Sequence, residues 1–533
     1  MPSQEHRLLQ MLRRHLEQNK LKDALVICRQ LNRDYPDNGE GWCAASILAC
    51  KLGNFEKGLE FVGRALILQP DNARFYIAKA NALVLAGRQQ EAMTMTGSAV
   101  PVAQEDPQLL DMAGGIYSLS GNYQQAHIYY EKAVLHAPDN GVYQFNLATV
   151  KRFLGDNAGA EICFDHAIRL NQNDYEACHL RSDLRTQTSS RNHVAELTDY
   201  IMACVSDPSD NWRGEMKLCF SLAKEHEDLG NYDDSFSYLK RGADLRRRHM
   251  SYKVDTDIAT VEDIVRIYHE HAFANIKQGS TSGEVIFIVG LPRTGTTLVD
   301  RIISSHGEVY SAGELNNFAL QMSGLARQAV AKKLTRTELI EQTVHLDFEE
   351  LGRRYMASVG PMTDGIRCFT DKLPLNFLYC GLIHKALPNA KIIHVRRGPM
   401  DTCYAMYKRL FVDAYPMSYQ LLDLARYYIA YRKLMDHWLK LMPETIQSVS
   451  YEDLVQEQAS TSRRLIADCG LSWDEACLHF DKNPAASTTA SASQIRHPVY
   501  ASSIGKWRHY QQQLQELQDF FAAAGIDLSS PVP

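Results

Sequence analysis

The stretch VIFIVGLPRTGTT, residues 285–297, decides the fold of the second half of this chain. Its first five residues are apolar and mostly β-branched, and this run stops at Gly290. Gly295 and two threonines follow, and this spacing is that of a phosphate-binding loop between a strand and a helix. Thr296 stands where a nucleotide-binding loop has its lysine, because that lysine directly follows the second glycine. The stretch therefore predicts an anion-binding loop, and the missing lysine weighs against a nucleotide triphosphatase.

The residues inside the loop supply the groups that an anion needs. Pro292 and Gly295 shape a turn whose backbone N–H groups point inward, at the start of a helix that we expect near Thr297. Arg293 supplies a planar cation with several donors, and Thr296 and Thr297 supply hydroxyl groups. A turn rich in glycine and threonine can also be purely structural, so the loop alone does not identify a ligand.

Four short apolar runs predict the strands of one sheet: residues 284–289, 366–370, 391–395 and 446–450. Helical patterns separate them, and strands that alternate with helices form parallel sheets covered on both faces. Ligands of such sheets bind beyond the carboxyl ends of the strands. Polar residues follow each predicted strand: Arg293-Thr294, Asp371-Lys372, Arg396-Arg397 and Tyr451-Glu452-Asp453. We therefore expect an α/β domain whose chemistry lies at one edge of the sheet.

A local excess of positive charge supports an anion site at this edge. Residues 391–409 carry five basic side chains against one acid: Lys391, Arg396, Arg397, Lys408 and Arg409 against Asp401. The whole chain has a net charge of −6, which argues against general attraction to nucleic acid or to an anionic membrane. Structural ion pairing is the alternative explanation for part of this cluster.

The first half of the chain repeats itself with a period of 34 residues. Each unit has a small residue near its middle and a turn residue before it: Ala24, Gly58, Ala92, Ala126 and Ala160, with Asn19, Gly53, Gly87, Gly121 and Gly155. This pattern is typical of the tetratricopeptide repeat, whose solenoid commonly binds a partner, and a generic helical bundle is the alternative. We expect a repeat solenoid over residues 1–250, a helical linker over 251–283 and the α/β domain over 284–533.

The rest of the composition is that of a cytoplasmic protein. Twelve scattered cysteines without a Cys-x-x-Cys pair predict reduced thiols and no zinc site. The polar start of the sequence does not resemble a signal peptide, and no run of eighteen apolar residues predicts a membrane span.

Five sequence blocks over residues 285–507 give the chain a specific resemblance: FIVGLPRTGTTLVDRIISSHGEVYSAGE, TDKLPLNFLYCGLI, IIHVRRGPMDTCYA, YEDLV and QIRHPVYASSIGKW. With the repeats, they resemble the bacterial sulfotransferases that carry N-terminal tetratricopeptide repeats, relatives of the animal tyrosylprotein sulfotransferases. The resemblance implies an all-α repeat superhelix followed by a three-layer, parallel-sheet sulfotransferase domain of P-loop-like topology. It also implies transfer of a sulfuryl group from 3′-phosphoadenosine 5′-phosphosulfate (PAPS) to a hydroxyl group, without a metal, leaving the 3′,5′-bisphosphate (PAP).

The resemblance assigns residues to the donor site. Arg397 matches the arginine that grips the 3′-phosphate, and Tyr451 matches a residue beside the adenine. Lys506, followed by Trp507, matches a late lysine that closes over the nucleotide. The loop matches the segment that binds the 5′-phosphosulfate: Pro292, Arg293, Thr294, Gly295, Thr296, Thr297 and Leu298.

One position departs from the family pattern. Eight residues after Arg397 the family usually has a serine that shares the 3′-phosphate, and this chain has Ala405. We expect Arg409 or Arg396 to compensate for the missing donor.

The resemblance also implies a catalytic set. Glu314 lies in the block that holds the general base, although tyrosyl members have two adjacent acids there and this chain has one. Lys372 matches a catalytic lysine near the bridging oxygen, Arg293 neutralises the same charge, and Ser491 or Ser493 completes the pocket. His306 and His394 are interpreted as structural histidines, packed or hydrogen-bonded.

Two other classes of function stay open at this point. A P-loop kinase or NTPase would need the lysine that the loop lacks, and a repeat scaffold with an inactive α/β domain would not need the catalytic set. The repeats favour a peptide or protein tyrosine as acceptor, while a sugar hydroxyl and a small phenol remain alternatives.

Overall fold

The computed structural model describes residues 3–99, 105–206, 211–275, 279–280, 284–328, 330, 334–363, 366, 368–483, 485–486, 496–497, 499 and 501–528. The described chain contains an N-terminal helical region and a five-stranded parallel sheet in its C-terminal part, which confirms the predicted fold class. It divides into two compact units, Met1–Ala177 and Cys178–Pro533. The predicted ends of the repeat region at residue 250 and of the linker at residue 283 are not tested by this division into two units. They stay predictions.

The first unit is built from antiparallel helical hairpins, and each odd-numbered helix pairs with the helix that follows it. In the described part of this unit the complete helices are α1 Gln4–Glu17, α2 Leu21–Asp34, α3 Gly39–Lys51, α4 Phe55–Leu68, α5 Ala73–Leu85, α6 Gln89–Ala99, α7 Pro107–Leu119, α8 Tyr123–His136, α9 Gly141–Leu154 and α10 Asn157–Leu170.

The repeat pattern explains these hairpins. The five predicted turn residues all have left-handed backbone, with φ from 55° at Asn19 to 89° at Gly155, which is easiest for glycine and asparagine. The small residues of the pattern are buried where paired helices meet, for example Ala24, Ala92 and Ala160. A larger side chain there would push the helices of a hairpin apart.

The second unit begins with further helices before the sheet. These are the end of α11 Tyr175–Ser182, then α12 Val194–Ser206, α13 Trp212–Asp228, α14 Tyr232–Arg248, α15 Val254–Ile267 and α16 Glu270–Asn275. Helices α13 and α14 form a hairpin whose turn residue, Gly230, has φ 80°, like the turn residues of the repeats.

The parallel sheet has the strand order β2-β3-β1-β4-β5. Its strands are β1 Glu284–Gly290, β2 Val309–Ser311, β3 Cys368–Asp371, β4 Lys391–Arg396 and β5 Ile446–Ser450. The four predicted strands are confirmed, with the second shifted by one or two residues. The short strand β2 was not predicted, because three residues are too few to show an alternating pattern.

Helices and short 3₁₀ turns connect the strands and cover both faces of the sheet. The helices are α17 Thr296–Ile303, α18 Asn317–Gln328, α19 Arg336–Thr343, α20 Phe348–Thr363, α21 Cys380–Ala386, α22 Pro399–Tyr407, α23 Leu421–Leu441, α24 Tyr451–Gln456, α25 Gln458–Asp468 and α26 Gln515–Ala523.

The central strand β1 is buried on both faces. Phe287 and Val289 belong to a large apolar core that also contains residues of α13, α14, α15 and α23. Ile286 and Ile288 point to a smaller core on the other face, with residues of α17 and α25. Successive side chains of a strand alternate between faces, so one continuous apolar run serves both cores. All twelve cysteines are buried as free thiols, and no helix of the described ranges is long and apolar enough to cross a bilayer.

His394 is a buried structural residue on β4, as the sequence predicts. Its Nε2 lies 2.5 Å from the hydroxyl oxygen of Tyr431, and its Nδ1 lies 3.4 Å from the hydroxyl oxygen of Ser448. Burial, assisted by the charge of Arg396, lowers the pKa of this imidazole from 6.5 to about 3. The folded chain therefore holds His394 neutral at pH values where an unfolded histidine is protonated.

We predict that this neutral histidine makes the second unit less stable in mild acid. Below pH 6.5 the unfolded chain takes up a proton at His394 that the folded chain does not, so stability falls as the pH falls. Replacing His394→Gln removes this component. The stability advantage of the wild type over the variant should shrink by about 1 kcal/mol per pH unit below pH 6, measured by urea denaturation. An equal difference at pH 5 and pH 7 would contradict a neutral folded histidine.

Candidate functional site

The candidate site lies at the edge of the sheet that is formed by the carboxyl ends of its parallel strands. Strand β1 is central and pairs with β3 on one side and with β4 on the other. The segments that leave these neighbouring strands separate there, and ligands of parallel sheets bind in such a crevice. The predicted loop follows β1, Lys372 follows β3, and Arg397 follows β4.

The loop after β1 has the backbone of an anion cradle. Arg293 and Gly295 both have left-handed backbone, with φ of 67° and 103°. The hydroxyl of Thr294 donates to the carbonyl oxygen of Leu291 at 2.7 Å, which closes the turn. Helix α17 begins at Thr296, as predicted, so the N–H groups of its first turn face the loop.

Tyr451 packs directly on this loop and explains why Gly295 is needed. A β-carbon at Gly295 would lie 2.5 Å from Cδ2 of Tyr451, closer than real side chains approach. On the same tyrosine ring, the guanidinium carbon of Arg397 lies 4.6 Å from the ring centroid. The hydroxyl of Tyr451 lies 2.6 Å from the hydroxyl of Ser503. One aromatic ring therefore joins three segments that the sequence separates by more than a hundred residues.

Arg397 links the loop to the C-terminal segment. It donates to the carbonyl oxygen of Arg293 at 2.9 Å and to that of Ser503 at 2.6 Å, and only 8% of its surface is exposed. Asp401, in the first turn of α22, lies 3.8 Å from the same guanidinium and accepts from the backbone N–H of Gly505 at 2.9 Å. Arg397 is therefore fixed between the loop and the segment that carries Lys506.

Lys506 and its neighbour Trp507 lie in a short 3₁₀ turn, Lys506–Tyr510. The ammonium group of Lys506 lies 3.4 Å from a carboxylate oxygen of Glu227, on α13. The same carboxylate oxygen lies 2.8 Å from the ammonium group of Lys408. Sequence reasoning missed Glu227 and gave Lys408 no role in the site. The only sequence signal for Lys408 was its membership of the basic cluster of residues 391–409.

Lys372 and Glu314 form an ion pair beyond β2 and β3. The side chain of Lys372 is almost completely buried, with 1% of the residue exposed, whereas 45% of the Glu314 side chain is exposed. The backbone N–H of Lys372 donates to the carbonyl oxygen of Gly313 at 2.8 Å, which fixes the two segments together. The structure thus joins the predicted base and the predicted catalytic lysine, with the carboxylate on the open side.

Two buried carboxyl groups near this pair were not predicted. Asp300, on α17, accepts from the hydroxyl of Thr370 at 2.5 Å and from that of Ser311 at 2.9 Å. Burial raises the pKa of Asp300, and the charge of Lys372 opposes that rise. Burial also raises the pKa of Asp371 to about 7, although Tyr355 donates to it at 2.9 Å. Both acids lie inside predicted blocks, but sequence does not show which acids are buried.

An aromatic residue from the segment after α22 also lies near Glu314. Tyr415 has left-handed backbone, with φ 50°, which is uncommon for a residue other than glycine. Burial raises the pKa of its hydroxyl, and the charge of Glu314 raises it further. No sequence signal identified Tyr415.

Several predicted residues lie apart from these contacts or outside the described chain. Arg409 forms an ion pair with Asp183. Nε and Nη1 of Arg396 are buried and have no hydrogen-bond partner among the described residues. The proposed compensation for Ala405, which is buried on α22, stays a prediction. Ser491 and Ser493 lie outside the described residues. His306, like His394, is a structural residue, because its Nε2 lies 2.9 Å from the carbonyl oxygen of Ser472.

Comparisons with known proteins agree with this architecture. Residues 285–475 match the sequence model of the sulfotransferase family, and residues 107–140 and 143–174 match that of the tetratricopeptide repeat. An uncharacterised protein of Aquifex aeolicus is 30% identical over 321 residues, which are 58% of this chain and 42% of that protein. A protein-tyrosine sulfotransferase of Drosophila melanogaster is 21% identical over 281 residues, which are 48% of this chain and 54% of that protein.

The chain thus spans about half the length of these relatives. Among solved structures, a sulfotransferase domain from the curacin biosynthetic pathway is similar, with 16% identity and a TM-score of 0.33. That likeness covers 47% of this chain and 100% of the other. The two sequence matches fall on the helical hairpins and on the parallel sheet, as the resemblance implies. Residues 285–475 form a domain of the sulfotransferase family, and this chain joins that domain to tetratricopeptide repeats.

Proposed function

We propose that the chain is a sulfotransferase that moves a sulfuryl group from PAPS to an acceptor hydroxyl and releases PAP. One observation carries the proposal. The anion loop, Arg397 and the Lys372–Glu314 pair meet at one edge of the sheet, in a domain of the sulfotransferase family. A basic crevice and an ion-paired carboxylate are what sulfuryl transfer requires.

The residues at this edge fit the donor. The loop offers backbone N–H groups and the start of α17 to the 5′-phosphosulfate, a smaller group than a triphosphate with its magnesium. Thr296 in place of lysine therefore suits this anion. Arg397 is proposed to hold the 3′-phosphate, with the ring of Tyr451 beside the adenine and Lys506 closing over the nucleotide. The other loop residues, Trp507 and Arg409 complete the proposed donor site.

The chain's own residues supply the proton transfer and the charge stabilisation. Bound PAPS would supply an activated sulfuryl group, whose bond to the bridging phosphate oxygen breaks as the bond to the acceptor oxygen forms. Glu314 is proposed to take the proton of the acceptor hydroxyl, for which its exposed side chain is suited. Lys372 and Arg293 are proposed to stabilise the negative charge on the leaving phosphate. Ser491 is proposed to complete the pocket.

We propose a tyrosine of a peptide or protein as the acceptor. The Drosophila relative is named for this reaction, and repeat solenoids commonly present a surface to peptides. Tyr415, near Glu314, would line the acceptor side of the site. We also place the reaction in the cytoplasm, since twelve free thiols suit a reducing compartment.

The donor assignment is tested by ligand binding. We expect PAP and PAPS to raise the melting temperature by about 3 °C or more at a hundred times Kd, because only the folded site binds them. Magnesium–ATP should neither do so nor compete in calorimetry. Incubation with PAPS and tyrosine peptides should release PAP and add the mass of one sulfate to the peptide. Stabilisation by magnesium–ATP and not by PAP would contradict the proposed donor.

The catalytic roles are tested by two substitutions. We expect Lys372→Met and Glu314→Gln each to lower kcat about 100-fold or more, since each removes charge stabilisation or proton transfer in the transition state. The Kd for PAP should change little in Glu314→Gln, because this carboxylate is assigned to the acceptor.

Matched controls separate these roles from a loss of folding. Lys385→Met removes another buried lysine, whose ammonium lies 4.4 Å from the ring centroid of Phe273. Glu350→Gln removes a surface carboxylate that pairs with Arg353 and Arg354. Turnover in Lys372→Met or Glu314→Gln that equals its control would disprove that assignment.

A further inference from the structure

The helical hairpin of α13 and α14 reaches into the candidate donor site. Both helices lie before residue 285, where the match to the sulfotransferase family begins, and both belong to the same compact unit as the sheet. The contact with the site is made by Glu227, in the last turn of α13. The family resemblance, which begins at residue 285, therefore does not explain why Glu227 lies at the donor site.

Glu227 is the centre of a nearly buried hydrogen-bond cluster. Its carboxylate accepts from Lys408 at 2.8 Å, from Lys506 at 3.4 Å and from the hydroxyl of Tyr510 at 3.2 Å, and also from the hydroxyl of Tyr404. Only 13% of its side chain is exposed. Burial by itself would raise the pKa of this carboxyl group, but the charges of the two lysines outweigh burial and lower it to about 2. Glu227 is therefore a carboxylate at neutral pH.

The carboxylate of Glu227 favours the charged form of Lys408. Burial lowers the pKa of Lys408, Lys506 and Arg293 lower it further by repulsion, and Glu227 opposes them. Lys408 is therefore near Arg293, in the anion loop. Arg397 donates to the carbonyl oxygens of both Arg293 and Ser503, so the segment that carries Lys506 also runs beside this loop. A cluster of basic side chains beside the loop suits a multiply charged anion.

We propose that Glu227 is a positioning residue of the donor site, which holds Lys408 and Lys506 beside the anion loop so that both can face the nucleotide anion. This inference rests on the proposed function. By this proposal the α13–α14 hairpin completes the donor site of the sulfotransferase domain, although it lies outside the family segment.

The hairpin is itself fixed against the surrounding segments, as a positioning role requires. The hydroxyl of Ser235, on α14, donates to the carbonyl oxygen of Ala223 at 2.7 Å and lies 3.1 Å from the hydroxyl of Tyr510. Arg246, also on α14, donates to the carbonyl oxygen of Val412 at 2.8 Å. A carboxylate on a firmly held helix restricts lysine side chains that would otherwise sample many rotamers.

The proposal is tested by measuring PAP binding to the full chain with Glu227→Gln. This substitution keeps the size of the side chain and removes its charge. We expect the Kd for PAP, measured by calorimetry, to rise about tenfold or more, because the two lysines lose the carboxylate that holds them in place. The loss should grow as the pH rises, since Lys408 then gives up its proton more readily. The matched control is Glu215→Gln on the same helix, which breaks an ion pair with Arg241 at 2.6 Å. This control should bind PAP like the wild type.

A mutant cycle separates positioning from general stability. In a Lys408→Met, Lys506→Met background, Glu227→Gln should change the Kd for PAP by less than about twofold, because the groups it acts through are gone. A loss that stays tenfold in this background would overturn the proposal. If Glu227→Gln does not fold, Glu227→Asp decides the matter: it keeps the charge but shortens the side chain. We then expect weaker PAP binding at an unchanged melting temperature, and wild-type affinity would overturn the proposal.

The outcomes also distinguish the two levels of inference. If the wild type binds neither PAP nor PAPS, the proposed function fails. If the wild type binds PAP and folded Glu227→Gln binds it equally well, the role of Glu227 fails and the proposed function stands.

Discussion

The site depends on holding several cations close together before any anion binds. Arg293, Arg397, Lys408 and Lys506 all lie around one loop, and like charges at such distances repel each other. Oxygen atoms of the protein offset this repulsion. Arg397 donates to two backbone carbonyl groups, and the two lysines share the carboxylate of Glu227. Arg397 and the two lysines are therefore held in place before a ligand binds.

A second constraint acts on the backbone. Gly295 must have left-handed backbone and must also let the ring of Tyr451 lie against the loop, and only glycine satisfies both requirements. The same ring supports Arg397 on the other segment. The loop, the end of β4 and the end of β5 are therefore held in fixed positions relative to one another. A change in one of them shifts the other two. This explains how an exposed edge of the sheet can hold a precise arrangement of donors.

The sequence predicted the parts of this arrangement that depend on local pattern. The strand β1, the turn at Gly295 and the left-handed turns of the repeats follow from residue type at fixed spacing, and the structure confirms them. Contacts between distant segments have no such pattern. Glu227 looks like any acid near a helix end, and Asp300 looks like any acid inside a helix, since burial and partners are set by tertiary packing. The roles of Glu314 and Lys372 were assigned only through the family resemblance, and their ion pair was not predicted.

The core of the second unit shows why the family segment is smaller than the folding unit. One apolar core joins Phe236 of α14, Val261 of α15 and Trp438 of α23 to Phe287 in the central strand. A chain cut at residue 284 would lose the first two partners and leave the face that they cover exposed to water, at a cost of about 1.5–3 kcal/mol for each large apolar side chain uncovered. The hairpin thus has two roles: its apolar face covers the core of the sheet, and the last turn of α13 presents Glu227 to the lysines. Because one rigid element does both, a change that loosens its packing must also move the charge at the site.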